Sequence, residues 1–291
     1  MVTTYIQLYT DARKALLEKE DPQDASFYAR QLIQQMSGMS QAKFLAHQQE
    51  YAPESVAAAV KTGVSRLLKG EPLAYVLGEW EFYGLKIHVT PDVLIPRDDT
   101  CAVAQLAIGQ ALFLPEIPRI LDLCTGSGCI GLAIASRIKD ARVTLADVSR
   151  DALAVAKKNI TRHKLSARVS CVQADALQPA SSFLGKFDMI VSNPPYIPSG
   201  EMPDLDSSVK DYEPHLALDG GNDGLDFYRA IVKNYTSALK PGGFLCFEFG
   251  MGQGDDVCDI LVKNGYTVLE RVQDFNERER AVLAQYGVKE E

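Results

Sequence analysis

The chain has 291 residues, of which 46% are hydrophobic and 23% are charged, so it has the composition of a globular protein with room for two domains. Its net charge of −8 argues against a protein that tracks long nucleic acid over a broad basic face. No apolar run reaches the roughly 20 residues that span a bilayer. The first residues lack the basic and apolar regions of a secretory signal. We therefore expect a cytoplasmic protein without a membrane partner.

The cysteines and histidines show no spacing typical of a metal centre. The six cysteines are scattered and form no CxxC pair, which favours reduced structural thiols. The four histidines form neither an HExxH motif nor a His-Cys cluster. We expect no metal site in this protein.

The first 75 residues have the features of helices only, so we assign residues 1–75 to an N-terminal helical domain. Asp21 supplies an N-cap and Pro22 the first position of a helix that continues through residues 25–36, and Ser40 can cap a short helix that ends at His47. A further helix, from Pro53 to Gly70, carries one apolar stripe at helical spacing: Val56, Val60, Val64 and Leu67. Such stripes are typical of contacts within a helical bundle.

After these helices the pattern changes twice. Residues 76–96 contain alternating apolar positions around Gly84, which predicts a short hairpin or an extended linker. From residue 97 to residue 291 strands alternate with helices, which predicts an α/β domain with a mostly parallel sheet. The predicted strands cover residues 117–123, 142–147, 168–173, 187–192 and 243–249, and helices over residues 129–139 and 151–163 separate the first three. Ligands of such sheets bind outside the carboxyl ends of the strands.

The loop after the first of these strands is rich in glycine and opens a helix. It consists of Cys124, Thr125, Gly126, Ser127 and Gly128, and its glycines fit the GxGxxG fingerprint of nucleotide sites. Glycine allows the sharp turn and lets a ligand approach the backbone closely. By itself this fingerprint fits nicotinamide, flavin and S-adenosylmethionine sites alike, and a turn without a binding role is the alternative.

Carboxylates end the next two strands. Asp147 lies 19 residues after Gly128, near the ~20-residue spacing of a carboxylate that binds both ribose hydroxyls. Its alternative role is the N-cap of the following helix. Asp175 can accept a hydrogen bond from an adenine amino group, and Ala176 leaves room for the ring; a solvated loop carboxylate is the alternative there. Together these residues predict an adenosine-containing cofactor without deciding which one.

The strand over residues 187–192 runs into Asn193, Pro194, Pro195 and Tyr196. A planar NH2 group is a poor nucleophile because its lone pair is delocalised. The side-chain carbonyl of Asn193 and the backbone carbonyl of Pro194 can accept its two hydrogens, so that the nitrogen faces a methyl donor. These acceptors favour the transition state because they strengthen as positive charge develops on nitrogen. The prolines stiffen the loop and Tyr196 can stack on the flat group.

We therefore predict that Asn193, Pro194 and Tyr196 are catalytic, that all four residues of this loop bind the acceptor group, and that Asn193 also borders the cofactor. A proline-rich turn without a catalytic role is the alternative interpretation. The motif alone indicates a planar NH2 group as methyl acceptor and does not distinguish adenine from glutamine.

These motifs, and stretches outside them, resemble a known family. Residues 119–131 are similar to the first motif of class I S-adenosylmethionine-dependent methyltransferases, and residues 193–196 to the fourth motif of their amino-methylating members. Several further stretches resemble the release factor glutamine methyltransferases (the HemK/PrmC family): residues 70–78, 81–84, 94–97, 212–218 and 224–225. The resemblance covers nearly the whole chain.

The resemblance implies a Rossmann-like sheet of seven strands, with one antiparallel strand over residues 281–286. It implies S-adenosyl-L-methionine as cofactor, S-adenosyl-L-homocysteine as product, and N5-methylation of the glutamine in the Gly-Gly-Gln loop of bacterial peptide chain release factors. By the same resemblance the loop at Gly126 holds the methionine end of the cofactor, Asp147 the ribose, and residues 193–196 the glutamine. The N-terminal helices would contact the release factor. We expect a monomer without a nucleic-acid partner.

The chain departs from the family pattern at three places. It has Asp98, Asp99, Thr100 and Cys101 where the family usually has Pro-Glu-Thr-Glu, and Cys124 where glycine is frequent. Residues 274–278 follow the family's Asp-to-Arg segment only loosely.

Several other functions fit part of the sequence. A ribosomal-protein glutamine methyltransferase would use the same chemistry. A DNA adenine-N6 methyltransferase would present a flipped base to the same site, although the charge and the short N-terminal domain argue against it. A nicotinamide dehydrogenase leaves residues 193–196 without a role. A non-catalytic nucleotide-binding module would not need an intact Asn193 and Tyr196.

Overall fold

The computed structural model describes residues 3–287. The chain forms two compact units, one of residues 1–79 with 207–212 and the other of residues 80–206 with 213–291. The helices are α1 (Tyr5–Leu16), α2 (Pro22–Ser37), α3 (Gln41–His47), α4 (Glu54–Leu68), α5 (Leu73–Leu77), α6 (Cys101–Ala111), α7 (Cys129–Arg137), α8 (Arg150–Arg162), α9 (Ser207–Lys210), α10 (Asp226–Tyr235) and α11 (Gly254–Lys263). The strands are β1 (Glu79–Phe82), β2 (Leu85–His88), β3 (Arg119–Leu123), β4 (Arg142–Asp147), β5 (Val169–Gln173), β6 (Phe187–Ser192), β7 (Leu239–Glu248), β8 (Tyr266–Gln273) and β9 (Glu279–Tyr286).

The first unit is built from α1 to α5 together with α9. The predicted caps are confirmed: the Asp21 carboxylate accepts hydrogen bonds from the first turn of α2, and the Ser40 hydroxyl accepts one from α3. Three positions of the predicted stripe on α4 are buried: Val60, Val64 and Leu67. Because α4 contacts both α1 and α2, this stripe forms the core of the helical unit.

Residues 207–212 are distant in sequence from the other residues of the first unit. The Tyr212 hydroxyl donates a hydrogen bond of 2.8 Å to the carbonyl oxygen of Lys69, just beyond the end of α4. This contact satisfies a carbonyl that the helix itself leaves unpaired. It also shows why this short segment groups with the N-terminal helices.

The predicted hairpin is confirmed and consists of β1 and β2. Tyr83 and Gly84 join the two strands, both with positive φ, as two-residue hairpin turns require. The buried Asn159 side chain of α8 accepts a hydrogen bond from His88 N at 2.7 Å and donates one of 2.9 Å to the carbonyl oxygen of Ser127. Asn159 thus links β2 to the glycine-rich loop after β3.

A seven-stranded sheet forms the centre of the second unit, in the order β5-β4-β3-β6-β7-β9-β8. Strands β3 to β7 are parallel to one another, and β9 runs antiparallel to both β7 and β8, which confirms the predicted fold class. The strand order reverses between β3 and β6, so their carboxyl ends lie side by side at a topological switch point. The paired residues there are Leu123 and Ser192.

Burial of the sheet explains the apolar runs seen in the sequence. All six residues of β6 are buried, since this central strand has covered faces on both sides. By contrast, the edge strand β8 has only one buried residue, Tyr266. Within residues 3–287, no helix combines the length and the apolar composition that a membrane crossing requires.

Candidate active site

A cavity of about 220 Å³ opens at the carboxyl ends of β3, β4 and β6, in the second unit. It lies where the strand order reverses, which is the expected place for a ligand in a sheet of this type. Most of the predicted site residues line it: Cys124, Thr125, Gly126, Ser127, Asp147, Asp175, Ala176, Asn193 and Pro195. Among residues 3–287 the predicted residues Gly128, Pro194 and Tyr196 are not in the cavity wall.

The glycine-rich loop turns directly after β3 and leads into α7. Gly126 and Gly128 have φ values of 53° and 85°, in the left-handed region that glycine adopts without strain. Cys124 has a φ of 61° in the same region, although it carries a side chain. Thr125 N donates a hydrogen bond to the carbonyl oxygen of Ala146, which fixes the loop against the end of β4.

Asp122, which no sequence motif indicated, fixes this loop through its buried side chain. Its buried Oδ2 accepts hydrogen bonds of 2.6 Å from Thr125 Oγ1 and 2.8 Å from Gly131 N. Burial raises the pKa of Asp122 to about 7, and these two hydrogen bonds counteract part of that rise. A single carboxylate therefore fixes both ends of the loop, while lying outside the cavity wall.

Asp147 ends β4 and faces the loop. Its Oδ2 accepts a hydrogen bond of 2.8 Å from Gly126 N, and its Oδ1 accepts one of 2.9 Å from Ser149 N. The N-cap of α8 is Ser149, whose hydroxyl accepts a hydrogen bond from Ala152 N. Burial raises the pKa of Asp147, and the backbone N–H groups lower it in part. Asp147 is therefore not needed as the cap and lies in the cavity wall, as ribose binding requires.

Asp175 and Ala176 lie after β5, at the far end of the cavity. Asp175 Oδ1 accepts a hydrogen bond of 2.9 Å from Leu177 N, and its backbone carbonyl accepts one of 3.0 Å from the Tyr235 hydroxyl. Leu177 and Phe227 also line the cavity and were not predicted. Apolar side chains beside a carboxylate are suited to a flat ring with a polar edge.

Asn193 follows β6 and lies in the cavity wall. Its Nδ2 atom donates a hydrogen bond to Thr100 Oγ1 over 3.3 Å, so its Oδ1 atom is the end of the amide that remains for another donor. Asn193 is half-buried, whereas Pro194 and Pro195 are buried. The Asn193 amide therefore has a defined orientation, in which its nitrogen faces Thr100 and its oxygen remains available to a ligand.

Two packed contacts hold the loop over residues 193–196 in place. The Gln253 side chain donates a hydrogen bond of 2.9 Å to the carbonyl oxygen of Tyr196. A Cβ atom at Gly220 would lie 2.7 Å from the Tyr196 Cα atom, so only glycine allows the chain to pass this closely. Burial raises the pKa of Tyr196 well above its usual range, which keeps the hydroxyl protonated. The loop is rigid because its backbone is contacted from two sides.

A buried carboxylate also connects two segments that contribute to the lining of the cavity. Glu213 Oε2 accepts a hydrogen bond of 3.0 Å from Ile95 N, and the same carboxylate pairs with the Arg97 guanidinium. Pro96 and Pro214, next to these residues, line the cavity. In the sequence, only the family resemblance drew attention to residues 94–97 and 212–218. The contact of Glu213 with Ile95 and Arg97 is visible only in the structure.

Two protein families match the sequence. The PrmC N-terminal domain matches residues 7–78, which includes most of the first unit, and the Methyltransferase small domain matches residues 101–205, which include the glycine-rich loop and Asn193. The two matches are consecutive and do not overlap.

Curated relatives match most of the chain. The release factor glutamine methyltransferase of Geobacter sulfurreducens is 42% identical over 81% of this chain and 80% of its own length. The protein of the same name from Clostridium acetobutylicum is 43% identical over 75% of this chain and 76% of its own. The chain belongs to the release factor glutamine methyltransferase family. A third member, from Neisseria gonorrhoeae, is 35% identical over 89% of this chain and 92% of its own length.

Two solved structures share the fold of this family member. The catalytic domain of hMettl16, crystallised with an RNA hairpin, aligns with a TM-score of 0.55 over 82% of this chain and 84% of its own, at 16% identity. A methyltransferase from Pyrococcus furiosus aligns with a TM-score of 0.51 over 77% of this chain and 98% of its own, at 19% identity. At these identities the likeness concerns the fold alone.

As a member of this family the protein is a methyltransferase that uses S-adenosyl-L-methionine, and the cavity fits that cofactor. Each Asp147 oxygen accepts one backbone hydrogen bond and retains a lone pair for a ribose hydroxyl. Ser127 Oγ is buried in the cavity wall without a hydrogen-bond partner among the described residues. When bound, the cofactor supplies an electrophilic methyl group on sulfur.

Proposed function

We propose that the protein methylates the side-chain amide nitrogen of the glutamine in the Gly-Gly-Gln loop of bacterial peptide chain release factors. The polarity of the Asn193 amide carries this proposal, because its nitrogen donates inward to Thr100 and its oxygen is left to accept from a substrate NH2 group. The shared name of the curated relatives supports the choice of a release factor as substrate.

Asn193 and Pro194 would bind the two hydrogens of the glutamine amide. Among residues 3–287 no hydrogen-bond donor reaches the Pro194 carbonyl oxygen, so it is free to act as the second acceptor. Two acceptors in fixed positions orient the amide plane and direct the nitrogen towards the methyl group, which supplies most of the effect through orientation. They also stabilise the positive charge that develops on nitrogen as the new N–C bond forms and the S–C bond of the cofactor breaks. S-adenosyl-L-homocysteine is the leaving group, and the methylated nitrogen returns to the neutral amide by losing one proton to solvent.

The charge of the protein favours a protein substrate over a flipped DNA base. The net charge of −8 offers little attraction to a polyanion such as DNA. A ribosomal-protein glutamine would present the same amide, and the relatives' name favours the release factor.

We further propose that the first unit contacts the release factor outside its Gly-Gly-Gln loop. Its match to the PrmC N-terminal domain supports this role. Leu45 and Tyr51 of this unit expose 56% and 69% of their surface, and exposed apolar side chains are frequent in protein contacts. Since the substrate is a translation factor, we place the protein in the cytoplasm, as a monomer and without a direct nucleic-acid partner.

The proposed function is tested by transfer of labelled methyl from S-adenosyl-L-methionine to a purified release factor. A variant release factor with Gly-Gly-Ala in place of Gly-Gly-Gln is the matched control. We expect label on the wild-type factor alone, and mass spectrometry should place it on the glutamine side chain. Equal labelling of both factors would overturn the assignment. A short peptide with the same loop should show a higher KM than the full factor, because it lacks the surface that the first unit would contact.

A further inference from the structure

The topology of the sheet brings Glu248 and Arg280 next to Asn193. Ser192 of β6 is paired with Phe247 of β7, so the next residues, Asn193 and Glu248, are neighbours at the same edge of the sheet. Glu248 is in turn paired with Ala281 of β9, which places Arg280 beside it. None of these pairings involves residues that are close in sequence.

Thr100 completes this group from the N-terminal end of α6. Thr100 and Glu248 expose 2% and 1% of their surface, so their side chains depend on protein groups for hydrogen bonds. Burial raises the pKa of Glu248 to about 8, and hydrogen bonding from Thr100, the Arg280 charge and hydrogen bonding from Asn193 lower it in part. Glu248 Oε2 has no hydrogen-bond partner within the described chain. A buried carboxyl with a spare acceptor oxygen therefore lies next to both side chains.

The chemistry of these groups determines the direction of the Asn193 amide. A threonine hydroxyl can donate or accept, so Thr100 alone would tolerate either end of the amide. A carboxylate accepts only, and a protonated carboxyl still keeps an acceptor oxygen. When the Thr100 hydroxyl donates to Glu248, its lone pairs face Asn193 and select the NH2 end. A reversed amide would direct its oxygen at the lone pairs of the Thr100 hydroxyl.

We propose that Thr100 and Glu248 are positioning residues that turn the Asn193 amide so that its oxygen faces the substrate. Thr100 lines the cavity and Glu248 does not, and both act through Asn193, with which each forms a hydrogen bond. The inference rests on the proposed function, because it assigns the substrate NH2 group to the Asn193 oxygen.

A pair of ion contacts fixes the segment that carries Thr100. The buried Arg280 guanidinium lies 3.1 Å from Asp99 Oδ2 and 3.2 Å from Asp274 Oδ2. Asp274 Oδ1 in turn accepts backbone hydrogen bonds from Asn276 and Arg278. Arg280 thus joins the two segments that depart from the family pattern, residues 98–101 and 274–278. Its contact in the first segment is Asp99, the residue before Thr100.

The test compares Thr100→Val, which keeps the shape and removes the hydroxyl, with Thr100→Ser, which keeps the hydroxyl. We expect Thr100→Val to lower kcat for a release factor about tenfold or more, because a buried partner of Asn193 is lost. Cofactor affinity, measured by calorimetry with S-adenosyl-L-homocysteine, should change by less than about twofold, far below the tenfold that 1.4 kcal/mol represents. Thr100→Ser should recover most of kcat. A value of kcat for Thr100→Val within about twofold of the wild type would overturn the proposal.

Thr236→Val is the matched control for lost stability. The Thr236 hydroxyl donates to the carbonyl oxygen of Val232 and contacts the Tyr266 hydroxyl, so its loss should lower the melting temperature without affecting Asn193. We expect this variant to keep the wild-type kcat. If Thr236→Val lost as much kcat as Thr100→Val, the effect would be one of general stability and the positioning role would be wrong.

A second measurement needs no methyl acceptor. The side-chain NH2 protons of Asn193, assigned by NMR through their loss in Asn193→Asp, should exchange with solvent more slowly in the wild type than in Thr100→Val or Glu248→Gln. Equal exchange rates would overturn the positioning role. If the wild type failed to label a release factor while these rates differed, the proposed function would fail and the positioning role would stand.

Discussion

The two ends of the cavity are built in different ways. At the cofactor end, carboxylates and backbone N–H groups of strand-end loops contact one another, as in the 2.8 Å hydrogen bonds from Gly126 N to Asp147 and from Gly131 N to Asp122. At the acceptor end, the side chain of Asn193 depends on Thr100, 93 residues earlier, and on Glu248 of a neighbouring strand. The first end is mostly backbone, and the second is a group of buried side chains.

This difference predicts how each end responds to substitution. Backbone N–H groups survive any side-chain change, so the cofactor end should lose affinity gradually as its side chains are removed. The acceptor end has fewer groups that could compensate for a lost side chain, because only one amide oxygen and one backbone carbonyl would bind the substrate nitrogen. Single substitutions there should change turnover more than binding of the cofactor.

The largest effect should come from Asn193→Ala. This change removes one of the two proposed acceptors and leaves the Thr100 hydroxyl without its partner, so we expect kcat to fall by at least about 100-fold. Calorimetry with S-adenosyl-L-homocysteine should show nearly unchanged affinity. A variant with strongly reduced cofactor affinity but a wild-type kcat at saturating cofactor would move Asn193 from the acceptor end to the cofactor end.

A smaller effect, on binding, is expected for Asp147→Asn. In the wild type the Asp147 carboxylate accepts hydrogen bonds from the N–H groups of Gly126 and Ser149. The asparagine amide has only one acceptor oxygen, so its NH2 group would face one of these two N–H groups. We expect cofactor affinity to fall about 10- to 100-fold, as loss of hydrogen bonds to a charged group predicts, with kcat at saturating cofactor much less affected. Asp151→Asn, in the exposed first turn of α8, is the charge-matched control and should bind normally. A loss confined to kcat would contradict the ribose role.

The smallest expected effect is on stability and its dependence on pH. Because the pKa of Glu248 is raised from 4.5 to about 8 in the folded protein, the folded state binds a proton more tightly than the unfolded state between these values. Stability from this group therefore falls as pH rises from 4.5 towards 8 and is constant outside that window. Glu248→Gln removes this dependence, so its melting temperature should gain on the wild type as pH increases.

The measurement is thermal unfolding of both proteins at several pH values between 5 and 8. Asp122 and Asp147 also have raised pKa values, but both are present in the two proteins and their contributions cancel in the difference. Parallel curves for wild type and Glu248→Gln would show that the carboxyl is ionised at neutral pH and would contradict its burial as described.

Much of the fold could be predicted because its signals are local. Apolar runs predicted β4 and β6 with the observed bounds, and cap residues predicted the starts of α2 and α3. No prediction covered α6, α10, α11 or β8. The sequence of α6 is apolar on nearly all sides, which obscures helical periodicity, and β8 is an edge strand whose pattern of burial is irregular.

The candidate site shows the same division. Asp147 and Asn193 were predicted because Asp147 ends an apolar strand and Asn193 directly follows one, where ligand-binding residues of parallel sheets lie. Thr100 and Glu248 were not predicted, since nothing in their local sequence indicates that they meet Asn193. The ribose, adenine and catalytic roles of the predicted residues stay predictions until the binding and transfer measurements are made.

The sequence by itself determined the elements, the glycine-rich loop, and an acceptor motif suited to a planar NH2 group, because hydrophobic spacing, caps and loop chemistry are encoded within a few residues. The tertiary structure alone decided which end of the Asn193 amide faces the cavity, and which carboxylates hold the loops. Those choices depend on the pairing of β6, β7 and β9, which brings residues together across about half of the chain. Strand pairing is long-range, and the polarity of the acceptor site follows from it.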